Sequence, residues 1–117
     1  MSNRDLAERL GAASAALAQA REEHLAKFGT LIPHVFMGDV LARLGACMCA
    51  DGKAPRVRDA GEIAAILDSL EEGMASGDQE TRNVVSTGFA GGAERQPFFA
   101  ALEPLLGPRV RAELDPP

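Results

Sequence analysis

The recurrence of apolar residues at alternating steps of four and three is the feature that most restricts how this chain can fold. Leu6, Leu10, Ala13, Leu17, Ala20, His24 and Phe28 keep that spacing, which lines up on one stripe of an α-helix but scatters over both faces of a strand. A long amphipathic helix over residues 3–28 is predicted, stopped by Gly29. The rhythm returns in Met37, Val40, Leu41, Leu44, Cys47 and Met48, behind Pro33, whose missing N–H suits a first helical turn. A second helix is therefore expected over 33–50, ending at Asp51-Gly52 before the basic, proline-containing loop KAPRVR.

A third helix has the sharpest boundaries. Asp59 as N-cap and Glu62 three residues on form a capping-box pattern, Ile63, Ile66, Leu67, Leu70 and Met74 make one stripe, and Ser76-Gly77 closes it. Asp78 can cap a fourth helix at once, which predicts a tight antiparallel hairpin; that helix buries Val84, Val85 and Phe89 and stops at Gly91-Gly92. Pro97 opens a fifth with Phe98, Phe99, Leu102, Leu105 and Leu106, and Gly107-Pro108 starts a last short one with Val110 and Leu114. The apolar residues are mostly small and aliphatic, with five Phe and no Trp or Tyr, a mix that favours packed helices over sheets. The expectation is one all-α domain over residues 1–117: a six-helix compact bundle, or a short stack of helical hairpins of the HEAT or armadillo kind. No fixed-period repeat is present, which favours the bundle. Gly38 and Gly88 fall inside helices, where glycine costs about 1 kcal/mol relative to alanine. Both are expected at tight helix crossings.

Reactive chemistry finds little footing. His34 and Asp39 are five residues apart on a helix and diverge by about 140°, so they cannot work as an acid–base pair. His34 is read as structural. Cys47 and Cys49 lie too close along a helix to bridge and lack the further Cys or nearby His of a metal site, so free thiols are expected. Gly91-Gly92 matches no phosphate-loop pattern. No catalytic centre, metal or other cofactor is predicted. No run of about eighteen apolar residues exists and the N-terminus is charged, which points to the cytoplasm. A net charge of -5 disfavours nucleic acid or an anionic membrane as partner and favours a basic protein.

Charge distribution is more telling. From Asp59 to Thr81 there are seven acidic residues and no Lys or Arg. Asp59, Glu62, Asp78 and Glu80 fall at helix N-termini, where free N–H groups and the dipole favour carboxylates. Asp68, Glu71 and Glu72 do not, and Asp68 and Glu72 form an i,i+4 like-charge pair. They read either as a solvated face or as an acidic platform for a basic surface; Arg56, Arg58 and Arg82 flank the stretch and are able to fold back on it.

The segments LIPHVFMGD, ILDSLEEGMASGDQETRNVVSTGF and LEPLLGPRVRAEL, in that order, resemble an uncharacterised family of small bacterial helical proteins often associated with polymorphic-toxin systems as immunity proteins. The likeness covers about residues 28–114; members tend to carry a second aromatic where Met37 stands and a bulky apolar and acidic pair where Ala90-Gly91 stands. The resemblance implies an all-helical cytoplasmic protein that binds a cognate toxin effector domain and blocks it stoichiometrically. Combined with the charge pattern, it nominates Asp68, Glu71, Glu72, Asp78 and Glu80 as partner-binding residues against a basic groove, with Asn83 and Asp39 as secondary polar contacts. The alternative is a helical adaptor or structural subunit that pairs through the seam of the first helix, with itself as a homodimer or with another helix.

Overall fold

A computed structural model describes residues 1–48 and 57–114, and every regular element in it is helical. The predicted long first helix is two. α1 (Asn3–Ala13) and α2 (Ala15–Phe28) meet at Ser14, whose backbone is extended at φ −146° and ψ 121°. Ser14 ends one helix and begins the next: its N–H donates to the Leu10 carbonyl, and its Oγ accepts from the Leu17 N–H. The chain doubles back there, so α1 and α2 pack against each other. The four-three spacing survives the reversal because each half turns its stripe to the same core; Leu6, Leu10 and Leu17 are at most 1% exposed. Phe28 leaves the seam and is 39% exposed.

Gly29 takes the left-handed conformation expected of a helix stop, at φ 74°. The link to α3 (Pro33–Met48) is pinned by buried His24, whose Nε2 accepts from the Ile32 N–H at 2.9 Å while its ring packs on Phe28 and Phe36. The predicted end of this helix at residue 50, together with Cys49 and Arg56, lies outside the described residues.

α4 (Ala60–Ser76) begins as predicted, with the Asp59 carboxylate accepting from the Glu62 N–H. The Glu62 side chain does not complete the capping box. It turns instead to α3 and to the α1–α2 break, accepting two hydrogen bonds from the Arg43 guanidinium and one from the Ser14 hydroxyl at 2.8 Å. That bidentate pair holds the Glu62 carboxyl at about 2, well below its ordinary range, with the Arg43 hydrogen bonds as the largest cause.

Gly77-Asp78 makes the tight turn, and Asp78 caps α5 (residues 79–93) by accepting from the Thr81 N–H. The predicted hairpin is looser than expected, because α5 packs chiefly across α3 while α4 packs chiefly on α1. α5 starts as Gln79–Asn83, widens into a π-helical stretch at Val84–Ala90, and ends as an α turn, Gly91–Ala93. Gly91-Gly92 thus does not stop it. The wide turns bring Val84, Val85, Phe89 and Ala90 all to the buried side. The two mid-helix glycines part company. A Cβ on Gly88 would sit 3.2 Å from Met37 Cγ and His34 Cδ2, a true close crossing, whereas nothing lies within 4 Å of one on Gly38. The predicted fifth helix contracts to α6 (Phe99–Leu102) followed by a 3₁₀ turn, Glu103–Leu105, where Pro104 has no N–H to continue the α ladder. α7 (Pro108–Arg111) closes the chain. The all-α class stands, with seven α-helical elements among the described residues around one apolar core.

Two stability measurements probe this arrangement. In urea unfolding, Gly38→Ala is expected to stabilise by about 0.5–1 kcal/mol, since it only relieves helix entropy. Gly88→Val, by contrast, should cost about 2 kcal/mol or more by overfilling the crossing. The second concerns acid. Because the Glu62 carboxyl is lowered from 4.5 to about 2 on folding, its contribution is complete above pH 4.5 and disappears as pH falls through 2. Arg43 is 35% exposed in its side chain, so solvent limits that contribution to the order of 1–2 kcal/mol. Unfolding free energies of wild type and Glu62→Gln should therefore differ most near neutrality and converge between pH 4.5 and 2.

Candidate partner-binding surface

The seven acidic residues between Asp59 and Thr81 divide into three kinds by what their carboxylates touch. Asp59 and Asp78 are spent on N-caps. The backbone N–H and hydroxyl of Thr81 hold the Asp78 carboxyl below its usual range. Glu62 and Glu71 turn inward, with side chains 16% and 15% exposed. Asp68, Glu72 and Glu80 remain to face outward or lie at the surface.

Glu71 is the nominated residue whose position differs most from expectation. Its carboxylate accepts from the Val110 N–H at 2.7 Å and the Arg109 N–H at 3.2 Å, with the Arg109 guanidinium 3.8 Å away. It thereby satisfies the free N–H groups at the start of α7 and ties the end of the chain to α4. Gly107 is there for space, since a Cβ at that position would lie 2.3 Å from Glu71 Cγ. Glu71 is a structural latch, and its carboxylate is not displayed for a partner.

The outward set follows from helical geometry. Ile63, Ile66, Leu67, Leu70 and Gly73 take the buried side of α4, so Asp68 and Glu72, one turn apart, fall on the other. Asp68 makes no hydrogen bond or ion pair among the described residues. Glu72 accepts from the Ser76 hydroxyl at 3.1 Å within its own helix. Past the turn, Glu80 is exposed on the first turn of α5, and Asn83 is exposed one turn later beside a shallow groove of about 320 Å³ shared with Met74, Gln79 and Ser86. Asp39 sits half-buried on α3, and no hydrogen bond joins it to the α4 carboxylates. Of the flanking cations, Arg82 donates to Gln79 and contributes to lowering the Asp78 carboxyl. The amino-terminal ammonium, which donates to the Ser76 carbonyl at 2.8 Å, does the same.

His34 is structural, as expected, but its partner was hidden from the sequence. Its Nε2 lies 2.9 Å from Thr87 Oγ1, clipping α3 to the π-helical stretch. The Thr87 hydroxyl donates its own proton to the Asn83 carbonyl at 2.7 Å, so the imidazole is the donor to Thr87. That is the reverse of what activating a hydroxyl nucleophile requires. Cys47 is buried beside Glu62, and burial followed by that carboxylate pushes its thiol up, away from the thiolate form. Among the described residues no group of three or more His, Cys, Asp or Glu is placed to hold a metal ion, and no helix is long and apolar enough to cross a membrane.

The inward and outward acids should respond oppositely to truncation. Glu71→Ala leaves two N–H groups of α7 unsatisfied and is expected to cost about 2 kcal/mol in thermal or urea unfolding. Asp68→Ala should fall within about 0.5 kcal/mol of wild type, on the stabilising side, since it removes a like-charge repulsion. No protein-family model, curated protein or solved structure matches this chain.

Proposed function

We propose that this protein is a binding module, an immunity protein that neutralises a bacterial toxin effector in the cytoplasm by covering the basic groove in which the toxin binds its substrate. The observation that carries the reading is the pair Asp68 and Glu72. They stand one turn apart on the outer side of α4, kept at a cost of a few tenths of a kcal/mol, and the nearest nominated acid, Glu71, is diverted inward while they are not. Uncompensated like charges on a rigid helix suit them to steering and register against a cationic surface. Glu80, and Asn83 behind it, extend the same kind of surface past the turn into α5. The resemblance of the segments containing them to helical immunity proteins supports the toxin as the partner class.

The adaptor alternative relied on a free apolar seam along the first helix. Leu6, Leu10 and Leu17 of that seam are buried in the chain's own core, which favours the binding-module reading, while Phe28 at its end is exposed.

The direct test is growth of cells that express the open reading frame adjacent to this gene. Co-expression of the wild-type chain should restore growth, and a variant carrying Asp68→Ala, Glu72→Ala and Glu80→Ala should fail to do so while retaining the wild-type helical signal and melting temperature. With purified proteins the same variant should bind at least about tenfold more weakly, with a reduced dependence on salt. Full rescue by the triple variant would remove the acidic surface from the mechanism.

A further inference from the structure

The α1–α2 hairpin is close-packed near its turn, where a Cβ on Gly11 would lie 3.4 Å from Ala18 Cα, and a cleft of about 670 Å³ lies between the two helices towards the other end. Its apolar lining comes from Ala7, Leu25, Leu31 and Pro33, and Leu25 is 41% exposed although it sits among them. The rim is bipolar. Arg4 and Glu8 on α1 pair with each other at 3.7 Å. Arg21 on α2, half-buried with its guanidinium over Gly11, has no hydrogen bond or ion pair among the described residues, and neither has Glu80, which enters the lining from α5. Asn3, also in the lining, carries a buried amide oxygen without a hydrogen-bond partner.

We propose that this cleft receives one amphipathic helix of a protein partner, its apolar face on Leu25 and Leu31, a carboxylate abreast of Arg21 and a lysine or arginine abreast of Glu80. Two arguments fix the occupant. There is no β-strand among the described residues, so an added strand would find no sheet edge to bond to along the cleft; a helix satisfies its own backbone and needs only side-chain contacts. The two unpaired charges are of opposite sign and come from different elements, so an occupant of a single sign meets repulsion at one of them. The inference rests on the protein-binding reading above but not on Asp68 or Glu72.

The test uses the full chain and a synthetic helical peptide of about four turns with leucines on one face and both glutamate and lysine on its flanks, titrated by amide chemical-shift mapping. Shifts are expected at Ala7, Leu25 and Leu31, with affinity at least about tenfold weaker for Leu25→Asp. All-lysine and all-glutamate versions of the peptide should each bind more weakly than the mixed one. Equal or tighter binding of the all-lysine peptide, shifts confined to other surfaces, or an unchanged affinity for Leu25→Asp would overturn the proposal. So would cleft signals that move with protein concentration alone, which would give the cleft to a second copy. Glu80 belongs to both surfaces, so the arms that separate the two readings are Leu25→Asp, which alters the cleft alone, and the Asp68→Ala, Glu72→Ala pair, which leaves the cleft intact.

Discussion

The Glu62 carboxylate is the interaction on which the arrangement of the other elements depends. It is the point where three separated pieces of chain converge: the Ser14 break between α1 and α2, Arg43 in the middle of α3, and the first turn of α4. Each partner needs the others. Solvent reaches Arg43 and tempers the cost of losing its partner, yet the bidentate pair with the Ser14 hydroxyl as a further donor satisfies all three groups at once. Apolar burial supplies most of the stabilising energy, but it is non-directional. Glu62 adds direction to the burial of Leu6, Leu10, Ile66 and Leu70, by requiring Ser14 and Arg43 at hydrogen-bonding distance together.

A second polar latch does the same for the end of the chain. Glu71 lies on α4 nine residues beyond Glu62 and receives α7 through two backbone N–H groups. α4 thus carries two inward carboxylates, each holding an element that is remote in sequence, and two outward ones that hold no other element. The surface proposed for partner recognition is what remains of the acidic stretch after these internal duties are filled. This is why it is smaller than a count of charges implies.

How much of this could be read from the residues varies with the range of the interaction. The caps at Asp59 and Asp78, the stop at Gly29 and the apolar faces of α3 and α4 are local, and each was legible because the signal lies within one helical turn of what it determines. The break at Ser14 had a local signal too, a serine three residues before Leu17 in an alanine run, but continuous four-three spacing concealed it. The spacing reports which residues reach the core and says nothing about the direction in which the chain arrives. The roles of Glu62 and Glu71 were not legible at all. Both sit in patterns that local rules explain adequately, a capping box and a solvent face, and their partners Arg43, Ser14 and Val110 lie 19, 48 and 39 residues away. The π-helical stretch was hidden for a related reason: Val84, Val85, Phe89 and Ala90 share a face only once the turn is widened.

The glycines carry the same lesson into the segments LIPHVFMGD, ILDSLEEGMASGDQETRNVVSTGF and LEPLLGPRVRAEL. In LEPLLGPRVRAEL, Gly107 is required because Glu71 of SLEEG occupies the space a side chain would need. In NVVSTGF, Gly88 is required because Met37 and His34 of LIPHVFMGD press against it. The three segments therefore meet one another in space, through a carboxylate latch at one contact and a close helix crossing at the other. Motifs that interlock in this way specify a scaffold, and a scaffold leaves its partner to be chosen by what it does not bury. On this chain those groups are Asp68 and Glu72 on one side of α4, and the charges of Arg21 and Glu80 about an apolar cleft. Glu80, on the first turn of the helix that follows α4, belongs to both the acidic surface and the cleft lining, so a single partner that presents a basic groove and an amphipathic helix would engage it from either side without any rearrangement of the core.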